Sequence, residues 1–108
     1  MKETNLKLGK MRLALRKELG IEKGGWIYVS EGFLNRIAAT FPSDYVLLVS
    51  RLYALCLHHD RFDYDVRREV LTLYGEEGKA EIQRRGEKWW VISFYSNSSP
   101  ACFLNSII

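Results

Sequence analysis

Two stretches, Leu13–Val29 (LALRKELGIEKGGWIYV) and Asp60–Gly75 (DRFDYDVRREVLTLYG), decide how this chain reads. The first joins a basic helical run to a Gly-Gly break and a short Trp-Ile-Tyr-Val strand. The second opens on Arg-Phe, alternates like a strand and stops at Tyr-Gly. Between them lie two strongly apolar helical segments.

Working outward, Thr4 or Asn5 caps a first helix over about 6–18. Leu8, Met11, Leu15 and Leu19 share a face by three-four spacing. Lys7, Lys10, Arg12, Arg16 and Lys17 fill most of the rest, and Gly20 stops the helix. Ser30 caps a second helix, over 31–41, with Glu31 favourable to its dipole. Pro42 ends it. Ser43 caps a third, over 44–58, which is apolar nearly all round and so expected to be central and the most buried. From Arg67 onward the chain reads as antiparallel strands, Arg68–Tyr74, Ala80–Arg85 and Lys88–Tyr95. Turn signals at Gly75–Gly78 and Gly86-Glu87 separate them. A helix across 76–88 is the alternative, opposed by Gly78 and Gly86. In the last strand Trp89, Val91, Ser93 and Tyr95 share one face. Trp90, Ile92 and Phe94 share the other and are expected to face the core.

Helices followed by a β-meander make an α+β chain of winged-helix-like order, in one domain of 108 residues. At 47% hydrophobic residues, with five phenylalanines, six tyrosines and three tryptophans, the chain has material for a core without disulfides. Cys56 and Cys102 have no metal or redox spacing and read as free thiols. The sequence has neither a signal-peptide pattern nor a transmembrane run, so an intracellular, cytoplasmic protein with no membrane contact is expected. The net charge of +3 permits a polyanionic partner without requiring one.

Chemistry-bearing motifs are few. His58-His59-Asp60 lacks the further ligands a metal needs and has no nucleophile beside it. No Gly-rich phosphate loop occurs. No catalytic residue, metal or cofactor is therefore expected, and the chain does not read as an enzyme. The cations are more informative. Arg67-Arg68 begins one strand. Arg84-Arg85 closes the next, and Lys88 follows the turn. Guanidinium forks match phosphate oxygens, so a hairpin tip built this way suits a nucleic-acid backbone. Tyr28, Tyr53, Tyr64, Tyr74, Trp89 and Tyr95 are candidates for stacking unpaired bases.

The run Arg16, Gly20-Ile21, Gly25-Trp26-Ile27-Tyr28-Val29, then Arg61-Phe62, then Arg68 to Tyr74-Gly75 resembles the amino-terminal, winged-helix-like lobe of RNA 2′-phosphotransferases. The resemblance covers roughly 6–75. Arg16 matches that family's first catalytic arginine, but Lys17 stands where its histidine belongs. Gly75 is followed by Glu76-Glu77, without the second histidine, and no NAD-binding lobe follows. The resemblance therefore implies RNA or phosphate binding and not transfer chemistry.

Two functions are expected on these grounds. The first is a small nucleic-acid-binding module, for RNA or phosphate backbone more than base-specific DNA, using Lys10, Arg16, Lys17, Arg84, Arg85 and Lys88. The third helix offers almost no polar side chains to a major groove. The alternative is a protein-interaction module, such as a small viral or mobile-element accessory protein or inhibitor. Its contact would be Trp89 with the apolar tail residues Phe103, Leu104, Ile107 and Ile108. That tail docks either in its own chain or in a second copy, making a homodimer.

Overall fold

Hydrophobic periodicity sets the elements, and the computed structural model describes them over residues 11–14, 26–76, 78–97 and 101–105. In chain order they are β1 (Met11–Ala14), β2 (Trp26–Val29), α1 (Glu31–Thr40), α2 (Tyr45–His58), β3 (Arg61–Asp65), β4 (Val70–Gly75), β5 (Gly78–Arg85), β6 (Lys88–Ser96) and β7 (Cys102–Asn105). The class is α+β: two helices, among the described residues, on a seven-stranded and mostly antiparallel sheet.

The sheet runs β1-β2-β6-β5-β4-β3. β3 to β6 form a continuous meander in which Leu71 pairs with Ile82 and Leu73 with Ala80. β2 joins β6 in parallel through Ile27↔Trp89 and Tyr28↔Trp90. β7 joins the far half of β6 antiparallel, from Ser93↔Asn105 to Ser96↔Cys102. One edge of β6 is thus shared by two short strands from opposite ends of the chain.

Both helices cover one face. Ser30 caps α1, its hydroxyl accepting from the Phe33 N–H at 3.1 Å. That leaves Phe33, Leu34 and Ile37 buried on the inner side. Asp44, not Ser43, precedes α2, and its carbonyl accepts the Leu48 N–H at 2.9 Å. Leu48, Val49, Leu52, Leu55 and Cys56 of α2 are buried against Ile27, Val29, Leu71, Leu73, Ile82, Val91 and Phe94 of the sheet. Each such side chain contributes about 1.5–3 kcal/mol when fully buried.

Four expectations need correction. Residues 11–14 of the expected first helix are a strand paired with β2, from Met11↔Val29 to Ala14↔Trp26, so the described residues form a sheet with two helices and do not bear out the three-helix, winged-helix-like order. The rest of 6–18 lies outside the described residues. Helix propensity is a weak preference, and a partner strand overrides it. Arg61–Asp65, which precedes the strands expected from Arg67 onward, is the edge strand β3. The helix over 45–58 is not apolar-buried all round: Val46, Leu47 and Leu57 face outward and are exposed. Finally, the two faces of β6 are exchanged at its start. Trp89 and Val91 are buried, while Trp90 is only half-buried. A bulge explains how Phe94 is buried too. Glu81 pairs with Ser93 but Ile82 pairs with Val91, leaving Ile92 as an extra residue that resets the alternation.

Candidate nucleic-acid interface

The antiparallel meander brings the β3–β4 turn and the β5–β6 turn to the same end of the sheet, because Val70 pairs with Gln83 and Arg85 with Lys88. The Arg84 N–H donates to the Glu69 carbonyl at 3.0 Å and ties the two turns together. The two arginine pairs, Arg67-Arg68 and Arg84-Arg85, therefore meet at one end, with Lys88 beside them. Asp65, Glu69 and Glu87 are the acids of the same turns, so cations outnumber carboxylates five to three.

The β3–β4 turn is built for rigidity. Asp65 Oδ1 accepts from the N–H groups of Arg67 at 3.1 Å and Arg68 at 3.2 Å. Glu69 takes a left-handed backbone, φ 55°. Its carboxylate meets Arg84 Nη1 at 3.2 Å.

That ion pair separates the three hairpin cations. Arg84 pairs with Trp89 in the ladder and so lies on the helix-covered face, where Glu69 and the Gly86 carbonyl hold it. It is a bracing residue and not a free phosphate ligand. Arg85 and Lys88 lie on the opposite, open face, and both are exposed. Arg85 donates through Nε and Nη2 to Gln83 Oε1, at 3.2 Å each.

The open face beside them is aromatic. Tyr28 and Trp90 are register partners, their ring centroids 5.2 Å apart and tilted by 33°. Lys88 Nζ sits 5.3 Å from the Tyr28 ring centroid. Further along the face Arg61 covers the Tyr74 ring at 4.2 Å, and Tyr95 meets Phe103 at 6.4 Å. Between these two aromatic zones the face turns acidic: the Ser93 hydroxyl donates to Glu81 Oε1 at 2.8 Å, and Asp63 lies in the same row.

The remaining candidates divide. Trp89 is 1% exposed, a core residue against Tyr64. It cannot serve as a partner contact; of this adjacent pair Trp90 is the one on the open face, which it shares with Trp26 of β2, 44% exposed. Leu104 is also buried, because β7 pairs within its own chain and Arg36 Nη1 of α1 donates to the Asn105 carbonyl. Phe103, by alternation, points outward and is 60% exposed. Lys10, Arg16, Lys17, Ile107 and Ile108 lie outside the described residues. The face of Trp90 and the parallel pairing that sets Tyr28 beside it were missed from sequence, because neither the bulge nor a long-range pairing leaves a local signal.

A cleft of about 290 Å³ opens at the other end of the sheet, between α2 and β4–β6, where Arg51 Nη1 meets Ser96 Oγ at 3.3 Å. Gly75 and Gly78 form part of its wall. Among the described residues no group of three His, Cys, Asp or Glu could hold a metal ion, and no helix is long and apolar enough to cross a membrane. No family model, curated protein or solved structure significantly matches the chain.

Proposed function

We propose that this protein is a small nucleic-acid-binding module whose contact surface is the turn end of the sheet and the adjoining open face. The observation that carries this reading is the placement of Arg67-Arg68, Arg85 and Lys88 at one end of the sheet, with Arg85 and Lys88 beside the Tyr28–Trp90 ring pair. Exposed guanidinium and ammonium groups bind phosphates, and the rings beside them offer an apolar surface for bases. The mostly apolar outer face of α2, whose exposed polar residues are Ser50 and His58, favours backbone and single-base contacts over helix-in-groove readout.

Association measured by fluorescence anisotropy with a mixed-sequence RNA oligonucleotide tests this. Binding should weaken steeply with salt, because bound phosphates release counterions. Arg85→Ala with Lys88→Ala should weaken it while leaving thermal stability nearly unchanged. Absence of binding at 50 mM salt, on the order of the low-salt regime where phosphate contacts are strongest, would refute the reading.

A second reading, a protein-interaction module, rests on the exposed Tyr95–Phe103 pair on the same face. A partner using that patch would bind with little salt dependence and lose affinity on Phe103→Ser.

A further inference from the structure

The nucleic-acid surface described above presents two kinds of group on one face, and their arrangement bears on the form of the ligand. We infer that the ligand is single-stranded, with a base stacked against the Tyr28–Trp90 pair and the adjoining phosphates held by Arg85 and Lys88. This rests on the nucleic-acid reading and adds to it the strandedness and the base-contact residues.

Three observations carry it. First, Tyr28 and Trp90 lie on the face that neither helix covers, and both are half-buried. Each ring is braced by the sheet and still has solvent-accessible surface, which suits a stacking partner. Second, the cations are on the same face and in the next row of the ladder: Lys88 is two residues before Trp90, Arg85 is its register partner, and Lys88 Nζ lies 5.3 Å from the Tyr28 centroid. A paired base buries its faces in the duplex stack, so rings placed here are useful only to an unpaired base. Third, the longer helix offers a duplex little to read with: the exposed residues of α2 are Val46, Leu47, Ser50, Ala54, Leu57 and His58, four of the six apolar, whereas the major groove is read by polar side chains.

The acidic middle of the face limits the footprint. Glu81, bonded to Ser93, and Asp63 lie in the path toward Tyr74 and Tyr95. Phosphates are repelled there. The strand therefore crosses β5, β6 and β2 at the turn end and does not run the length of the sheet.

The full chain, titrated with a fluorescein-labelled uridine octamer and with a labelled RNA hairpin duplex, tests the inference. The octamer should bind at least about tenfold more tightly than the duplex, with quenching of tryptophan fluorescence. Trp90→Leu should weaken octamer binding about tenfold and leave the duplex unaffected, whereas Trp90→Phe should retain octamer binding. Tyr28→Leu gives the same readout from the neighbouring strand, with circular dichroism confirming that each variant folds. Equal affinity for octamer and duplex, with Trp90→Leu and Tyr28→Leu silent but Arg85→Ala with Lys88→Ala damaging, would overturn single-strand stacking and leave the backbone-binding reading intact. Failure of both ligands to bind at low salt would overturn both.

Discussion

Trp89 and Trp90 are chain neighbours in opposite environments. Trp89 is 1% exposed and packs in the core, while Trp90 stands half-buried on the open face against Tyr28. Trp89→Ala should therefore cost about 3–5 kcal/mol of stability in urea unfolding, and Trp90→Ala about 1 kcal/mol. The sequence shows that adjacent tryptophans in a strand must point apart, but not which one points inward. The single extra residue Ile92 decides that, and nothing local marks it. Glycines tell a similar story. A Cβ on Gly78 would collide with the Tyr95 carbonyl of the neighbouring strand. One on Gly75 would meet only the flexible end of Leu55, at 2.6 Å. Gly78→Ala should lower the melting temperature more than Gly75→Ala. Cys56 gives a pH prediction. Complete burial pushes its thiol from the ordinary 9.0 up to about 12. Burial also raises the Cys102 thiol, against smaller lowering effects of a Ser96 backbone hydrogen bond and the Arg51 charge. A raised folded pKa means that the unfolded chain loses its proton first. This stabilisation is complete below pH 9 and is lost between there and about 12, at up to about 1.4 kcal/mol per pH unit for Cys56. Urea midpoints measured from pH 8 to pH 11 should fall accordingly, and a thiol-reactive dye should label Cys56 only on unfolding.

Among the elements, those with a local pattern were legible. The strand Trp26–Val29, the helices near 31–41 and 44–58, and the meander after residue 68 all stand close to their expected bounds. Each announces itself by period, cap or turn residue. β3 was missed, although Arg61, Asp63 and Asp65 alternate with Phe62 and Tyr64, because an edge strand needs so little apolar content. β1 was missed because its strand character comes only from its pairing with β2. The tail was legible as apolar and docked, but not its destination. β7 settles on the free edge of β6, burying Cys102 and Leu104 and leaving Phe103 outside. Its removal should thus strip part of the core and four ladder residues. Truncation before residue 101 should lower the melting temperature by several degrees, consistent with a loss of about 1–3 kcal/mol in a domain of this size. Light scattering at dilute concentration should give the same monomer mass before and after, since the docking is within the chain. Loss of a dimer on truncation would place the tail in a neighbouring copy instead.

At the scale of the molecule, the candidate site exists only because distant segments meet. The arginine pairs were visible in the sequence, since turn residues bound both. Their meeting at one end follows from the meander, and Tyr28 arrives there through the parallel pairing with Trp90. That pairing joins residues some sixty positions apart, through two register pairs, while the meander is closed by neighbouring strands along their whole lengths. Local stability should follow this difference, because hydrogen-bonded backbone opens at a cost set by its burial and its partners. β5 has a partner on each side over most of its length, and its inward residues Ala80 and Ile82 are fully buried. Among the described residues β3 has one partner, and its first three residues are exposed. Native-state hydrogen exchange should therefore rank the amides of β5, central β6 and the β4 residues Leu71 and Leu73 as slowest. Those of β3 and β7 should open sooner, and β2 should fall between them, because its short pairing with β6 is backed by β1 on its other side and by the buried Ile27 and Val29. Trp89→Ala, which removes the side chain packed where β2 meets β6, should collapse that intermediate class and speed exchange in β2 more than in β5. If both strands accelerate equally, β2 belongs to the same cooperative unit as the meander, and the parallel pairing is as strong as the antiparallel ladder.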